Sequence, residues 1–473
     1  MTLRSLPRTA AVCAALTLCG LLLVPRNFPG LGGEGRITLA VFALATCAWI
    51  AGPLEDTYVA LGAGLVLTVS EVTSTQALFA PLGDATIWLL ICAFVLAAGV
   101  ARTGLAGRAA AFLVTGARTV RQLFHLTAAV LVVSAFAVPA TSGRAALALP
   151  VFLALARTLA GRPRLVVALA LLFPTVILLS AVATLTGAGA HLITVSVLWE
   201  TTGERIAFHQ WLLLGLPLAV ASSHLAAEAV LLTATRRADR RGPVRIAAEA
   251  VQEHSDRPVT GPLTAVESRC AGLLAGVVTL WCSEPLHGIP PAVVALLGAV
   301  LITAPAPLGT IRLKDALATV PWSLLLFMAA TMAMGVALAD SGAADWLVSR
   351  LPGGEAVPAW AFLAVVVAVS TAAHLLLQSR SARSSVLVPL VVAAAAAAGV
   401  DPVAAALAST AAAGFCHTLP ASAKPVALFA AVPGTPTYTP ADLLRLSAVL
   451  APLSAALVLA FALGVWPLFG VAP

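Results

Sequence analysis

Long runs of apolar residues, separated by short arginine-rich segments, limit the fold of this sequence more than any other feature. The runs lie at 37–50, 87–101, 165–181, 212–233, 292–304, 322–339 and 446–468. With their flanks they approach or reach the ~20 residues that a membrane-spanning helix needs. Because lipid offers no water to bare backbone groups, such runs must be helical, and they are too continuous for the alternating pattern of a barrel strand. The sequence predicts an all-α polytopic membrane protein with about eleven spanning helices.

Composition excludes several other classes of protein. Only 10% of the 473 residues are charged, against about 25% in a soluble domain, so the chain cannot cover the soluble surface it would need. The net charge of +7 does not indicate nucleic-acid binding, since the arginines lie between apolar runs and not on a basic helix with interleaved aromatic residues. The seven cysteines have no metal-ligand spacing. We predict no nucleic-acid partner and no metal site.

The positions of the 27 lysines and arginines predict an orientation in the membrane. Four lie on one side of the apolar runs: Arg26, Arg36, Arg205 and Arg350. Nineteen lie on the other: Arg4, Arg8, Arg102, Arg108, Arg118, Arg121, Arg157, Arg162, Arg164, the seven from Arg236 to Arg269, Arg312, Lys314 and Arg445. Cytoplasmic loops carry the excess of positive charge. The chain is therefore predicted to be a multi-pass protein of the plasma membrane, with a cytoplasmic N-terminus, an external C-terminus and an odd number of crossings.

Residues 1–36 are predicted to form the first transmembrane helix and an external loop. Arg4 and Arg8 precede an apolar stretch to Val24, a pattern that a signal peptide shares. No clear small-x-small cleavage site precedes polar sequence, and this favours a helix that is retained. The longest hydrophilic stretch, 236–269, carries seven arginines, five acids and three prolines, which predicts a cytoplasmic linker.

The linker divides the chain into two predicted repeats, 37–235 and 270–473. Each contains an arginine six residues before a proline, in Arg144–Pro150 and in Arg383–Pro389, at an offset of 239 residues. Repeats of this size are typical of secondary transporters. The charge pattern places an odd number of crossings in the first repeat. The second repeat is therefore predicted to enter from the opposite side, so that the two are inverted.

Four segments do not fit plain helices. An apolar stretch with a polar centre and arginines at both ends, 124–159, predicts a re-entrant hairpin, and 357–399 is its counterpart. Thr184–His191 and Gly414–Pro425 interrupt helices with residues drawn from Gly, Pro, Ser and Thr. A broken helix exposes an N-terminal end, which favours anions, and free carbonyls, which favour cations. Two hairpin tips and two breaks are predicted to converge on one midplane site, since irregular backbone at this depth must be buried or line a cavity.

Four cations lie inside apolar stretches, namely Arg144, Arg380, Arg383 and Lys424. A charge at bilayer depth costs at least ~2.5 kcal/mol, so such residues normally face a cavity and have a function. The arginine fork matches a carboxylate or sulfate with two parallel hydrogen bonds. The alternative for the repeat-paired Arg144 and Arg383 is a structural bond to backbone carbonyls at the hairpin tips.

At these residues the sequence resembles the divalent anion:sodium symporter family of di- and tricarboxylate and sulfate carriers. Its members have two inverted repeats, each with a hairpin whose tip carries Ser-Asn-Thr-Ala-Thr followed by a proline. Ala140–Arg144 and Ser379–Arg383 occupy those places here. Leu419–Pro425 is similar to the family's Leu-Pro-x-x-Thr-Pro-Pro-Asn loop, Thr184–His191 to its first-half equivalent, and Trp211–Pro217 to the helix that follows. The resemblance spans nearly the whole chain.

The resemblance implies a carrier of small divalent anions, dicarboxylates or sulfate-like ions, that works by alternating access and forms a homodimer in the lipid bilayer. The predicted substrate-binding residues are Thr141, Ser142, Arg144, Thr186, Gly187, Ser379, Arg380, Ser381, Arg383, Thr418 and Lys424. Gly189, His191 and His417 are candidates for coupling, because a histidine can titrate near neutral pH.

The sequence departs from the family at the residues that would serve sodium. Thr141 and Arg380 stand where the family has asparagine, and Lys424 stands where it has proline. A fixed cation repels sodium and can replace its charge, so exchange or proton coupling is predicted and a sodium cofactor is doubted. Sodium-coupled anion symport stays open, as does a cation or arsenite-type carrier of the same superfamily, which acidic residues at the breaks would favour. No constellation of catalytic side chains at one depth is present, so we predict that the protein is not an enzyme.

Overall fold

The computed structural model describes residues 28–473 apart from 52–53, 245, 247–251, 253–257 and 351–356, together with residues 17, 20 and 24. The predicted first transmembrane helix and the middle of the predicted linker lie outside the described residues. The described chain holds nine helical stretches long and apolar enough to cross a membrane, and four shorter apolar helices. No β-strand occurs within these ranges. The all-α polytopic class is confirmed, while the number of crossings and the domain boundaries stay predictions.

Eleven described helices lie before the middle of the linker. They are α1 (Gly33–Ala51), α2 (Asp56–Val69), α3 (Thr75–Phe79), α4 (Ala85–Thr103), α5 (Leu105–Thr115), α6 (Val120–Ala137), α7 (Thr141–Thr158), α8 (Pro163–Leu179), α9 (Gly189–Thr202), α10 (Phe208–Ala234) and α11 (Arg237–Arg241). Two 3-10 turns, Ser180–Ala183 and Leu185–Gly187, separate α8 from α9.

Eleven further helices follow. They are α12 (Ala265–Cys282), α13 (Glu284–His287), α14 (Pro291–Ile302), α15 (Leu313–Leu317), α16 (Trp322–Asp340), α17 (Ala343–Ser349), α18 (Ala359–Ala372), α19 (Arg380–Ala398), α20 (Pro402–Ala412), α21 (Lys424–Ala430) and α22 (Pro440–Ala460). The 3-10 turn Ala373–Leu375 extends α18, and Pro420–Ser422 lies between α20 and α21.

Capping side chains determine where several of these helices begin, because the first amide groups of a helix have no partner inside it. Asp84 accepts a hydrogen bond of 2.7 Å from the amide of Thr86 at the start of α4. Thr119 accepts one of 3.2 Å from the amide of Gln122 at the start of α6. Asp401 caps α20 in the same way.

The helices of the second half follow the order of the first. The run from α4 to α10 has its counterpart in the run from α16 to α22, and each run contains a helical hairpin followed by a broken helix. The chain turns at 138–140 and at 376–379, so the predicted tip residues 141–144 and 380–383 form the first turns of α7 and α19. The inversion of the second repeat stays a prediction.

The two breaks have the same backbone shape. Thr184 and Leu419 are extended, with φ/ψ of −131°/150° and −125°/147°. Ala188 and Ala423 are extended too, with −156°/148° and −157°/147°. A 3-10 turn lies between the two extended residues in each break, and the members of each pair stand 235 residues apart. One local design therefore occurs twice in the chain, which supports an internal repeat.

Each hairpin packs against the broken helix of both halves. Helix α7 contacts α8 of its own half and α21 of the other, while α19 contacts α20 of its own half and α9 of the other. Helix α8 and the turn after it are almost completely buried. The first turns of α7 and α19 and both breaks consequently share one interior region.

Helices α4 and α14 cross closely because glycines face the contact on both sides. A Cβ on Gly99 of α4 would overlap the side chain of Ile302. A Cβ on Gly298 of α14 would lie 2.7 Å from Val277 and 3.1 Å from Leu96. In lipid, burying apolar side chains between helices gains little free energy, because the lipid tails are equally apolar. Close backbone packing of this kind is therefore a main source of helix association.

Replacing Gly99 by leucine is expected to force α4 and α14 apart, because the new side chain overlaps Ile302. Overpacking of this kind costs ~1–3 kcal/mol, which lowers the unfolding temperature of the protein in detergent. The matched control is Gly276→Leu on α12, where a Cβ meets no atom within 4 Å. Equal unfolding temperatures for the two variants would contradict the assigned contact.

Candidate functional site

Arg144 is the fourth residue of α7, and its side chain is fully buried. Nη1 donates to the carbonyl of Ile177 at 3.0 Å. Nη2 donates to the hydroxyl of Ser180 at 2.6 Å and to the carbonyl of Leu131. Nε donates to the hydroxyl of Ser134 at 3.1 Å. All three nitrogens are bound, and the guanidinium joins both arms of the first hairpin to the end of α8.

Arg383 is the fourth residue of α19 and is buried to the same degree. Nη1 donates to the carbonyl of Leu377 at 3.0 Å, and Nη2 donates to the carbonyl of Ala413 at 2.9 Å. Its Nε has no hydrogen-bond partner among the described residues. As Arg144 does in the first half, Arg383 joins its hairpin to the end of a broken helix, here α20.

The ends of α8 and α20 explain why both arginines are bound in this way. The last carbonyls of a helix have no partner inside it, and their partial negative charge favours a cation. At membrane depth no water is at hand, so a buried donor must satisfy them. The structural alternative for Arg144 and Arg383 is thereby supported, and direct contact of either residue with a substrate stays a prediction.

Arg380 is the first residue of α19, and its side chain reaches the break of the other half. Nη1 donates to the carbonyl of Leu178 at 3.4 Å, and Nη2 lies 3.0 Å from Nε2 of His191. A Cβ on Gly414 would lie 3.0 Å from Nη2, so the guanidinium also lies against the second break. Its Nε makes no hydrogen bond to the described part of the chain. Arg380 therefore touches both breaks and keeps donor capacity.

His191 is buried, and its contacts fix its tautomer. Nδ1 lies 3.0 Å from the carbonyl of Thr184, which only accepts, so Nδ1 carries the hydrogen. Nε2 then accepts from Arg380. The ring packs on Trp211 with centroids 4.9 Å apart, and the indole donates to the carbonyl of Val182 at 3.0 Å. His191 thus acts as a neutral acceptor that orients Arg380.

Thr418 belongs to a second hydrogen-bonded chain, beside the break of the second half. Its Oγ1 lies 2.8 Å from Nε2 of His374 and 2.6 Å from the hydroxyl of Ser447 on α22. Nδ1 of His374 lies 2.5 Å from the carbonyl of Thr371. The Thr418 hydroxyl is engaged on both sides and links the second hairpin to α22.

His417 is buried and uses both ring nitrogens within the protein. Nε2 lies 3.3 Å from the carbonyl of Thr175, and Nδ1 accepts from the amide of Cys416 at 3.3 Å. These bonds hold the neutral ring between α8 and the second break. A role of His417 in coupling stays a prediction.

The N-terminal end of α9 lies beside the first turn of α19. A Cβ on Gly189 would lie 3.3 Å from Oγ of Ser381, so the helix end and this hydroxyl are in close contact. Thr186 and Gly187 are buried just before this helix end. The first amide groups of a helix attract anions. Together with Arg380, these amide groups form a corner that offers hydrogen-bond donors and positive charge.

Lys424 is exposed, and its contact with substrate stays a prediction. It begins α21 at the position that Gly189 has in α9, and its long flexible stem lets the ammonium reach open space. Asp56, at the start of α2, lies within electrostatic range of Lys424 and is approached by the hydroxyl of Ser379. This acid was missed in the sequence because it lies far from both residues along the chain.

The charges at the meeting of the hairpins and breaks are positive. Arg144, Arg380 and Arg383, which we call the arginine centre, form no salt bridge with a carboxylate of the described residues. Arg380 lies near enough to each of the other two for their charges to repel. The arrangement suits a ligand with negative charge.

Other predicted residues and several missed ones complete the site. Thr141 is half-buried and Ser142 is exposed, so the first tip contributes Arg144 to the interior more than its hydroxyls. Ser134 and Ser180, which bind Arg144, were missed because a serine in an apolar run is usually a packing residue. His374 was missed too, although a histidine in an apolar hairpin arm was a signal that could have found it.

Three comparisons with known proteins agree with this architecture. The family described as the sodium:sulfate symporter transmembrane region matches residues 7–472. A membrane protein of Cupriavidus necator is 27% identical over 404 residues, which cover 81% of this chain and 77% of that protein. The YdaH transporter of Alcanivorax borkumensis, whose crystal structure has an unusual topology, has a similar fold. The TM-score is 0.54 at 19% identity, over 93% of this chain and 100% of that one.

The family match covers nearly the whole chain and confirms the resemblance drawn from the motifs. It also agrees with the prediction of a transporter in place of an enzyme. This chain belongs to the sodium:sulfate symporter family of membrane transporters.

Proposed function

We propose that this protein carries small divalent anions, dicarboxylates or sulfate-like ions, across the membrane by alternating access. The observation that carries the proposal is the arginine centre. Three guanidinium groups meet where two hairpins and two broken helices converge, and no carboxylate among the described residues pairs with them.

Repulsion among the three guanidinium groups of the arginine centre determines which ligand charge is favourable there. Two unit charges ~8 Å apart repel by about 2 kcal/mol at an effective dielectric of ~20. Backbone carbonyls hold Arg144 and Arg383, but a carbonyl carries only a partial charge. A dianion among the three groups cancels two of the three charges, whereas a cation adds a fourth.

Arg380 is the best candidate for direct contact with the anion. Its Nε is unpaired among the described residues, and its Nη1 contact with Leu178 is long at 3.4 Å. The hydroxyl of Ser381, the next residue of α19, lies against the amide end of α9 at Gly189. In this proposal Arg144 and Arg383 position the helix ends and contribute charge. The remaining candidates for substrate contact are Thr141, Ser142, Thr186, Gly187, Ser379, Thr418 and Lys424.

We further propose that transport is coupled by exchange or by protons and not by sodium. A sodium site in this fold would use carbonyls and hydroxyls at a hairpin tip and a break. Arg380 touches both breaks, and Arg144 and Arg383 occupy carbonyls at their edges. A cation ~4 Å from one of these guanidinium groups is repelled by about 4 kcal/mol at an effective dielectric of ~20.

Two alternatives use the same fold. Sodium-coupled symport would need the substrate to neutralise the arginines before the ion binds. A cation or arsenite-type carrier would need acids at the breaks, and Asp56 beside Ser379 is the acid that comes nearest to supplying one. The arginine centre argues against both. We also propose a homodimer in the plasma membrane, with the N-terminus cytoplasmic and the C-terminus external.

Arg380→Gln is expected to abolish saturable dianion uptake into proteoliposomes while leaving the unfolding temperature nearly unchanged, because only two acceptors lose their donor. Arg144→Gln is expected to lower the unfolding temperature sharply, because four acceptors lose theirs. An unpaired buried group costs ~1–3 kcal/mol. Arg445→Gln, at an exposed position of α22, is the matched control. Full uptake by Arg380→Gln would remove Arg380 from the substrate site.

Initial rates of dianion uptake are expected to be the same in sodium as in potassium, at matched ionic strength and pH. The physical reason is that the fixed guanidinium groups supply the charge that sodium would supply. Counterflow with a panel of dianions, with and without sodium, identifies the substrate in the same experiment. A saturable, sigmoidal rise of the rate with sodium concentration would show that the family's ion coupling persists here.

A further inference from the structure

A second polar cluster lies apart from the arginine centre, between the start of α6 and the last turns of α10. Nδ1 of His125 lies 2.7 Å from Nδ1 of His224. Nε2 of His125 lies 2.6 Å from Oε1 of Glu228, and Nε of Arg121 donates to the same oxygen at 2.5 Å. We call this continuous row of hydrogen bonds the histidine chain.

The histidine chain limits how many protons it can hold. A bond between two Nδ1 atoms needs a hydrogen on one and a lone pair on the other. The Glu228 carboxylate accepts from both its neighbours, so Nε2 of His125 carries a hydrogen. With this contact intact, the histidine chain is either neutral at both imidazoles or holds one excess proton. That proton lies on the imidazole that donates between the two Nδ1 atoms. A second excess proton places hydrogens on both Nδ1 atoms and turns the contact between His125 and His224 into repulsion between two cations.

The histidine chain is partly exposed, and its surroundings are positive. The exposed fractions of the side chains are 28% for His125, 33% for Glu228 and 71% for Arg121. On the helices packed against α6 and α10, three ion pairs are Arg108–Glu267, Arg164–Asp239 and Arg445–Asp442. The other ionised groups on those helices are Arg102, Arg144, Arg157, Arg237, Arg240, Arg241 and Arg269. Glu228 is thus the carboxylate that favours the first proton, and the arginines oppose a second.

Helix α6 connects the histidine chain to the arginine centre. Six residues separate His125 from Leu131, which is ~9 Å along a helix. The carbonyl of Leu131 and the hydroxyl of Ser134 both accept from Arg144. A displacement of α6 at His125 therefore moves two of the acceptors that hold a buried guanidinium.

We propose that the histidine chain is a proton-binding site that ties α6 to α10 while it holds at most one excess proton, and that a second proton breaks this tie. The site lies outside the substrate contacts. Only its effect on transport rests on the proposed function. Because the tie is present at higher pH and is lost on further protonation, the stability it contributes falls as the pH falls.

The first test is the unfolding temperature of the full-length protein in detergent, measured from pH ~8 to pH ~5, where histidines titrate. The native protein is expected to lose several degrees toward the acidic end. His224→Gln is expected to flatten this loss, because a carboxamide both donates and accepts and so keeps a hydrogen bond with His125 in either state. His125→Gln is the reciprocal variant and is expected to behave in the same way.

The matched control is His287→Gln, at a ring that contacts the carbonyl of Leu280 far from the histidine chain. This control should keep the full acidic loss. An acidic loss that persists in His224→Gln and His125→Gln, or that His287→Gln removes equally, overturns the proton-binding site.

The second test is uptake of sulfate, whose charge is constant over this range, into proteoliposomes at the same pH values. Uptake by the native protein is expected to fall with acidification, and uptake by His224→Gln is expected to fall less. If unfolding depends on the chain but uptake does not, the link to transport is overturned. Absence of uptake at every pH for sulfate and for each dicarboxylate of the panel would overturn the proposed function and leave the unfolding result intact.

Discussion

The bond between a buried guanidinium and the carbonyls at a broken helix end is the interaction on which the rest of this structure depends. A binding site at membrane depth requires helices that stop there, and each helix that stops leaves carbonyls without partners. Arg144 satisfies them at the end of α8, and Arg383 does so at the end of α20. These bonds stabilise the breaks and at the same time place positive charge between them. The need for an anionic ligand is therefore a consequence of how the fold is held together.

The sequence predicted those parts of the site that local chemistry determines. The breaks follow from runs of Gly, Pro, Ser and Thr inside apolar stretches, and the pairing of Arg144 with Arg383 follows from the repeat. Partners brought together by the tertiary fold were not predictable: Arg380 and His191 lie 189 residues apart and touch. The exposure of Lys424 was not predictable either, because an apolar stretch reports where the backbone lies and a long side chain can extend away from it. The contact between His125 and His224 was not predictable for the same reason, because the two residues lie on different helices.

Membership of the sodium:sulfate symporter family and an arginine centre place opposite demands on the same pocket. A sodium ion and a fixed guanidinium both lower the electrostatic cost of holding a dianion, but the ion leaves with the substrate and the guanidinium does not. Where Arg380 touches both breaks, carbonyls that would coordinate an ion are already bound or shielded by charge. We infer that this chain has exchanged a mobile charge for fixed ones. The loss is the free energy that a sodium gradient would add to transport.

The fixed charges of the arginine centre also affect whether the empty or the loaded carrier reorients more easily. Without substrate, the arginine centre has three uncompensated positive charges, and with a dianion it has one. The cost of carrying charge through a low-dielectric barrier rises steeply with its magnitude. The empty centre is therefore the harder one to reorient, and the loaded centre the easier. A carrier that crosses readily only when loaded exchanges one anion for another, and we infer that the same arginines that select the substrate also favour exchange over net uptake. A proton taken up on the histidine chain does not change the charge of the arginine centre; it changes only the hydrogen bonds that hold Arg144. The difference between the empty and the loaded centre therefore remains.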